Sequence, residues 1–142
     1  MQPRSTSGGT VARLYSNTND QRWCVDMIGL SSMGQVIAAS WNGTVQEVVG
    51  PVLPANVWTH VTSTYSRSHG IRLYVNGTLV GSTGSIVYIA PDKYNFLTLG
   101  YPFARSPCGA VSISSGSYFG DLDEFRVYSR ELTAADISVL AN

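Results

Sequence analysis

Short runs of alternating apolar and polar residues follow one another along most of the chain. In residues 58–65, large and β-branched side chains alternate with hydroxyl side chains, the period of two expected of a β-strand. Comparable runs predict strands at 11–15, 23–30, 35–41, 44–49, 71–75, 78–82, 85–89, 96–99 and 118–128. The pattern therefore predicts an all-β chain made of many short strands.

The dipeptide Asn76-Gly77 separates two of these runs and predicts a tight hairpin. Both residue types tolerate positive φ, as a two-residue type I′ turn requires. Such a turn sets Val75 opposite Thr78 and Leu73 opposite Val80. We expect Leu73, Val75 and Val80 to share one apolar face of this hairpin.

The other face of the same hairpin carries a smaller apolar patch, formed by Tyr74 and Leu79. A sheet with apolar side chains on both faces needs a second layer on at least one of them. The pattern therefore favours a sandwich of two antiparallel sheets.

One short helix is predicted, near the end of the chain, within residues 129–142. Thr133 is a suitable N-cap, and Asp136 stands three residues later at the position that completes a capping box. Ile137 and Leu140 would then face inward.

Two ordered motifs carry a family resemblance. Residues 58–81 contain W-x-H-V, then T-Y, then L-Y-V-N-G-x-L-V-G, and this resembles the central signature of laminin-G-like, concanavalin A-like jelly rolls. Residues 97–100 (LTLG), 119–128 (FGDLDEFRVY) and 130–133 (RELT) are similar to that family's closing pattern. The resemblance implies a jelly-roll β-sandwich with a short C-terminal helix. It implies less about activity, because the fold hosts lectins, adhesion modules, enzyme accessory domains and some glycanases.

The chain departs from the family at its start. Family members usually begin with an extra strand or two before the segment that corresponds to 11–30, and those strands pair with the closing strand near 122–127. Here ten polar residues precede Val11. We expect residues 1–10 to be a flexible tail and 11–142 to be a single domain, which either lacks the opening strand or belongs to a longer protein.

A missing strand suggests a function in assembly. The incomplete sheet would be finished by a strand from another copy of the chain or from another donor, and head-to-tail repetition of that contact would build a filament. The interface would lie beside Leu122, Phe125 and Val127, where the family's opening strand would pair.

The charge and the length of the apolar runs argue against two classes of partner, nucleic acids and membranes. Lys and Arg number nine and Asp and Glu also number nine, and charged residues make up 13% of the 142 residues. A neutral chain offers no basic face for nucleic acid. No apolar run approaches the length needed to insert into a membrane.

Cysteines and sequons favour secretion, although the first residues contain no signal peptide. Asn42-Gly43-Thr44 and Asn76-Gly77-Thr78 are N-glycosylation sequons placed at predicted turns. Cys24 and Cys108 form an even pair, so we predict an extracellular glycoprotein with one disulfide. The alternative is an intracellular protein with two unpaired thiols.

The densest acidic cluster lies in the closing motif, at Asp121, Asp123 and Glu124. The resemblance implies that Asp123 helps to bind a structural calcium ion, with further oxygen ligands from neighbouring loops. The alternative is that Asp123 and Glu124 pair with Arg126, Arg130 or backbone amides.

Catalysis is not expected. Glycanases of this fold carry an E-x-D-x-x-E strand, and residues 121–124 (DLDE) do not reproduce that spacing. The sequence also lacks the G-x-S-x-G, H-E-x-x-H and phosphate-loop motifs. His60 stands in a fold signature and is interpreted as structural, and His69 is expected to be solvated.

A lectin-like function is the alternative to assembly. The loop 94–103 (YNFLTLGYPF) alternates aromatic residues with Asn, Gly and Pro, and Tyr94, Tyr101 and Phe103 could stack on sugar rings. Trp58 is better explained as a core residue. Aromatic loops on sandwiches also pack against the sheet or a partner. We therefore predict a non-catalytic extracellular structural or adhesive module. The alternative is a carbohydrate-binding module, with or without a dependence on calcium.

Overall fold

Three antiparallel sheets and one short helix make up the described part of the chain in a computed structural model, which describes residues 1–16, 23–89, 94–101, 108 and 112–142. The described residues are 46% strand and 6% helix, which confirms the predicted all-β class. The described elements are β1 (Gln2–Pro3), β2 (Gly9–Ser16), β3 (Cys24–Leu30), β4 (Gln35–Trp41), β5 (Val45–Val52), β6 (Val61–Ser66), β7 (Gly70–Val75), β8 (Thr78–Ser82), β9 (Asn95–Leu99), β10 (Gly120–Asp121) and α1 (Ala134–Leu140).

The five-stranded sheet has the order β5-β4-β3-β2-β9, and the three-stranded sheet has the order β6-β7-β8. Their facing sides bury one core, in which Leu30 and Val36 of the larger sheet meet Ile71 and Leu73 of the smaller. These side chains alternate along their strands with residues of the opposite face, as the period of two requires. The result is a jelly-roll sandwich.

The β7–β8 hairpin has the predicted turn. Asn76 has φ 47° and Gly77 has φ 77°, and Val75 pairs with Thr78 as expected. Beyond the next pair, Tyr74 and Leu79, a bulge sets Leu73 opposite Gly81 rather than Val80. The register predicted for Leu73 is therefore wrong, because the extra residue shifts the side-chain alternation, and Val80 is exposed.

The second face of the hairpin is covered by the end of the chain. Tyr74 is buried with Leu132 and Ile137, and Leu140 packs against this cluster. The Thr133 side chain accepts a hydrogen bond from the amide of Asp136, whose carboxylate accepts one from the Thr133 amide. The predicted capping box is confirmed, and it starts α1 where the helix can cover Tyr74.

Residues 2–3 and 9–10 lie in strands, where a flexible tail was expected. Gln2 pairs with Asp121 and Pro3 with Gly120, and β2 already begins at Gly9. Their side chains are polar or small, but strand pairing uses the main chain. A Cβ on Gly9 would lie 2.4 Å from the carbonyl oxygen of Ser117, so the missing side chain is what allows this close packing.

Two further predictions are wrong. Residues 85–89 contain no strand. They are attached instead by the Tyr65 hydroxyl, which donates to the carbonyl of Ile86 and accepts from the amide of Tyr88. In the predicted strand 118–128, only Gly120–Asp121 is paired. Among the described residues, no helix is long and apolar enough to cross a membrane.

Candidate functional site

The closing segment, residues 122–129, contains neither helix nor strand, and its apolar side chains lie largely in solvent. Leu122 is half-buried against the core. Phe125 is 44% exposed, Val127 is 76% exposed, and Tyr128 is exposed as well. The three residues predicted as an interface therefore lie along one segment, and two of them present apolar surface to solvent.

The backbone of the closing segment is equally unpaired. Across the described part of the chain, no backbone–backbone hydrogen bond involves residues 122–129, and the β1–β10 ladder stops at Asp121. The Glu124 amide binds the Asp123 side chain, and the Glu124 carboxylate pairs with Arg126. These local contacts thus provide hydrogen-bond partners for a small part of the polar groups of the closing segment.

Strand β6 is open on the side away from β7. Within the described residues it pairs with β7 alone, so it is an edge strand. Val61, Ser63 and Tyr65 stand opposite Val75, Leu73 and Ile71 respectively. Cross-strand partners share a face, so these three β6 side chains point toward the core, yet all three are only half-buried.

Contacts just before the start of β6 show that one strand lies between the chain leading into β6 and the chain leading into the closing segment. The Met1 nitrogen donates to the Thr59 carbonyl at 2.9 Å, and the Thr59 amide donates back to the Met1 carbonyl at 2.8 Å. On its other side β1 pairs with β10. One strand, β1, therefore separates the chain leading into β6 from the chain leading into the closing segment.

Contacts at the other end bring the two segments together again. Glu131 lies 3.0 Å from Nδ1 of His69 and 4.0 Å from Arg72, just beyond the far end of β6. The closing segment thus runs beside β6 in the same direction. We name the space between β6 and the closing segment, beyond Met1, the open strand position.

The ionisation state of Glu131 favours its contacts with His69 and Arg72 beyond the far end of β6. Partial burial acts to raise the pKa of Glu131, but hydrogen bonds from His69 and Ser66 and the charge of Arg72 lower it overall. The carboxylate therefore stays ionised at neutral pH and keeps its partners. The His69 side chain is 43% exposed, which agrees with the predicted solvation, and the contact with Glu131 is an addition that the sequence did not predict.

The acidic residues do not gather around one point. Both oxygens of Asp121 accept hydrogen bonds from Arg4 at 3.0–3.1 Å, and Glu124 pairs with Arg126. Among the described residues, no group of three or more His, Cys, Asp or Glu side chains could hold a metal ion. Calcium at Asp123, with further oxygen ligands from neighbouring loops, therefore stays a prediction.

A second exposed apolar area lies along the edge strand β9. Tyr94 is 92% exposed, and Phe96, Leu97, Leu99 and Tyr101 are exposed too. The Phe96 ring stacks on Tyr15 with ring centroids 5.5 Å apart. Phe103, the third predicted sugar contact, lies outside the described residues. The exposure of Phe96 was not predicted, because the position of β9 at the edge of the described sheet is visible only in the structure.

Part of the five-stranded sheet is covered by the segment after residue 111. Ile113 is buried and lies where a Cβ on Gly29 would stand, 2.5 Å from it. The Ser112 amide donates to the Glu47 carboxylate at 3.1 Å. A sugar ring therefore cannot reach the sheet at Gly29.

The remaining predicted sites occupy ordered positions. Cys24 and Cys108 form a disulfide, as predicted. Asn76 is exposed on its turn, where Oδ1 accepts from the His60 amide at 3.0 Å. Asn42 is half-buried, with Oδ1 3.4 Å from the Thr44 hydroxyl. Glycosylation of both asparagines stays a prediction.

The two aromatic residues of the W-x-H-V motif differ from each other in environment. Trp58 was expected in the core but is exposed. His60 is half-buried, and its Nδ1 has no hydrogen-bond partner among the described residues. Burial lowers the pKa of His60, so the ring is neutral at pH 7. These properties fit the predicted structural role of His60.

Comparison with known proteins agrees with this fold. The sequence profile of the concanavalin A-like lectin/glucanases superfamily, of laminin G type, matches residues 1–138. The chain belongs to this superfamily. The match starts at residue 1, in agreement with the strand pairing of β1.

Two individual proteins resemble this superfamily member. A Botulinum-like toxin, eBoNT/J from Enterococcus sp., is 32% identical over 88 residues, which is 60% of this chain and 6% of the toxin. The crystal structure of an S-layer domain-containing protein from Clostridium thermocellum covers 100% of this chain with a TM-score of 0.51 and 20% identity. The chain spans 66% of that structure. At this identity the likeness concerns the fold alone.

Proposed function

We propose that this chain is a non-catalytic extracellular module that associates with other polypeptides, its own copies included, through the open strand position. The observation that carries the proposal is the closing segment, where Phe125 and Val127 are exposed and the backbone of residues 122–129 makes no backbone hydrogen bond within the described chain. Open strand edges are templates for pairing.

The energetics favour a partner at this place. An added strand would bury the Phe125 and Val127 side chains, at about 25 cal/mol per Å² of apolar surface. It would also pair main-chain groups of β6 and the closing segment, at about 0.5–1.5 kcal/mol net per hydrogen bond. If each copy donates to the next, the contact is head-to-tail and builds a filament.

An extracellular location is supported by three features. The Cys24–Cys108 disulfide persists in oxidising compartments. Both sequons lie at turns. The structural neighbour is named as an S-layer domain-containing protein. These three features support an extracellular location.

The test is the size of the chain in solution, with a matched pair of variants. Val127 and Val139 are both 76% exposed, but Val139 lies on α1, away from the open strand position. Light scattering over a concentration series should show oligomers for the wild type and for Val139→Asp, and monomers for Val127→Asp, because a buried unpaired charge opposes association. A wild-type chain that stays monomeric throughout would overturn self-assembly.

A carbohydrate-binding function is the second candidate, and the exposure of Tyr94 at 92% favours it. Aromatic faces of this kind suit the apolar faces of sugar rings. A glycan array should then show binding that Tyr94→Ala abolishes and that Tyr128→Ala, an exposed tyrosine on the closing segment, leaves intact. Equal binding by both variants would place the sugar site elsewhere.

A further inference from the structure

We infer that the partner enters the open strand position as one extended peptide strand, antiparallel to β6 and to the closing segment, with large apolar side chains at alternate residues. This inference rests on the proposed function and adds the direction, the register and the chemistry of the bound segment. Four observations carry it.

The direction follows from β1. Met1 and Thr59 exchange both backbone hydrogen bonds, which is the antiparallel pattern. Gln2 and Asp121 are antiparallel partners on the other side. A strand placed in line with β1 beyond Met1 therefore runs antiparallel to β6 and to the closing segment at once.

The backbone groups of β6 are already aimed at this strand. Successive residues of a strand turn their N–H and C=O groups to opposite edges. His60 bonds toward Asn76 on the β7 side, and Thr59 bonds toward Met1. The alternation continues along β6, so Val61, Ser63 and Tyr65 direct their backbone groups into the open strand position.

The closing segment has a local backbone irregularity that places its apolar side chains on one face. Glu124 has φ 51°, a left-handed conformation that is uncommon outside glycine and typical of a bulge. One extra residue at this point resets the alternation, so that Leu122, Phe125 and Val127 share a face. Leu122 packs on the core, and that face is therefore the inner one.

The side-chain requirement follows from combining the two edges. Counted from the Met1–Thr59 pair, one inward position of the bound strand lies between Val61 and Phe125, and the next lies between Ser63 and Val127. Ser63 is small, so the second position has room for a large aliphatic side chain. The residues between these positions face away from the core and can be polar.

The experiment uses the chain of 142 residues and two fluorescent peptides as long as β6, which has six residues. In the first peptide, Ile and Leu alternate with Thr and Lys. The second has the same composition, but its apolar residues are adjacent. Fluorescence anisotropy should show binding of the first peptide and binding at least about tenfold weaker for the second, since only alternation fills both inward positions.

Hydrogen exchange identifies the binding place. The first peptide should protect the amides of Val61, Ser63 and Tyr65. The amides of Thr62 and Thr64 point to β7 and should be unchanged. Val127→Asp should weaken binding at least about tenfold and Val139→Asp should not. Binding without protection of the three β6 amides would overturn the inference.

A covalent variant separates a partner strand from a neighbouring stretch of the same chain. The first peptide is joined directly before Met1, where it should raise the melting temperature and block the free peptide. If the joined strand protects the β6 amides while the free peptide never binds, a separate partner is excluded. If the free peptide binds as described but the wild-type chain is monomeric, the inference stands and the proposed self-assembly fails.

Discussion

Gly77 lies directly beneath Ala141: a Cβ built on Gly77 would stand 3.3 Å from the Cβ of Ala141. The turn that sets the β7–β8 register is therefore also the surface on which the end of α1 rests. Two requirements meet at this one glycine, a positive φ of 77° and the absence of a side chain.

Gly77→Val should destabilise the domain by more than about 1 kcal/mol, because it adds a contact with α1 to the backbone strain. Gly43→Val is the control, since Gly43 also has positive φ, of 100°, but a Cβ at this position would have no other atom within 4 Å. Urea unfolding should show the larger loss for Gly77→Val. Equal losses would mean that the helix contact contributes nothing.

The disulfide should be a major source of stability. Cys24 and Cys108 are 84 residues apart, and closing a loop of this length stabilises a fold by about 4–5 kcal/mol in the chain-entropy model. The double variant Cys24→Ser, Cys108→Ser should unfold at clearly lower urea concentration than the wild type. The same shift should appear when the wild type is reduced, and an unfolding midpoint insensitive to reductant would contradict the prediction.

Acid should loosen α1 through its capping box. Hydrogen bonds from Arg130 and from Thr133 lower the pKa of Asp136 from 3.8 to about 2. Because the folded pKa is the lower one, the ionised carboxylate favours folding above about pH 4, and this contribution is lost as the pH falls toward 2. Asp136→Asn should show a weaker dependence of stability on pH between these limits. Parallel pH profiles for the two proteins would argue against the capping role.

Both sequons should carry glycans when the chain passes through a eukaryotic secretory pathway. Asn76→Gln is a poor test, since it would also disturb the bond to His60. Thr44→Ala and Thr78→Ala destroy each sequon and keep its asparagine. Mass spectrometry of peptides should show one glycan lost in each variant. Unmodified Asn42 and Asn76 in the wild type would remove one support for secretion.

Features set by neighbouring residues could be predicted from the sequence. The Asn76-Gly77 turn and the Thr133–Asp136 capping box each depend on a few adjacent side chains, and both are present. The bulge that places Gly81 opposite Leu73 could not be predicted, because no residue type marks it. Once it is inserted, the faces of all later residues in β8 change.

Features set by distant residues were harder to predict. Arg4 binds Asp121 across 117 positions of sequence, and residues 1–10 pair through their backbone, so hydrophobic periodicity gave no sign of either. In the candidate site, the sequence predicted Leu122, Phe125 and Val127 as an interface, and this stays a prediction. It did not reveal the left-handed conformation of Glu124, on which the inferred common face of these three side chains depends.

The paired turn of β7 and β8 also brings the two ends of the chain together. Met1 bonds to Thr59, the next residue His60 bonds to Asn76, and a Cβ built on Gly77 would stand 3.3 Å from the Cβ of Ala141. The path from residue 1 to residue 141 thus crosses two strand spacings of about 5 Å each and the packing of α1 on the turn. A short Gly-Ser linker could join them, and a circular permutant opened at the exposed Arg67–Ser68 turn would keep every sheet pairing. The same proximity would let the whole domain be inserted into a surface loop of a host protein.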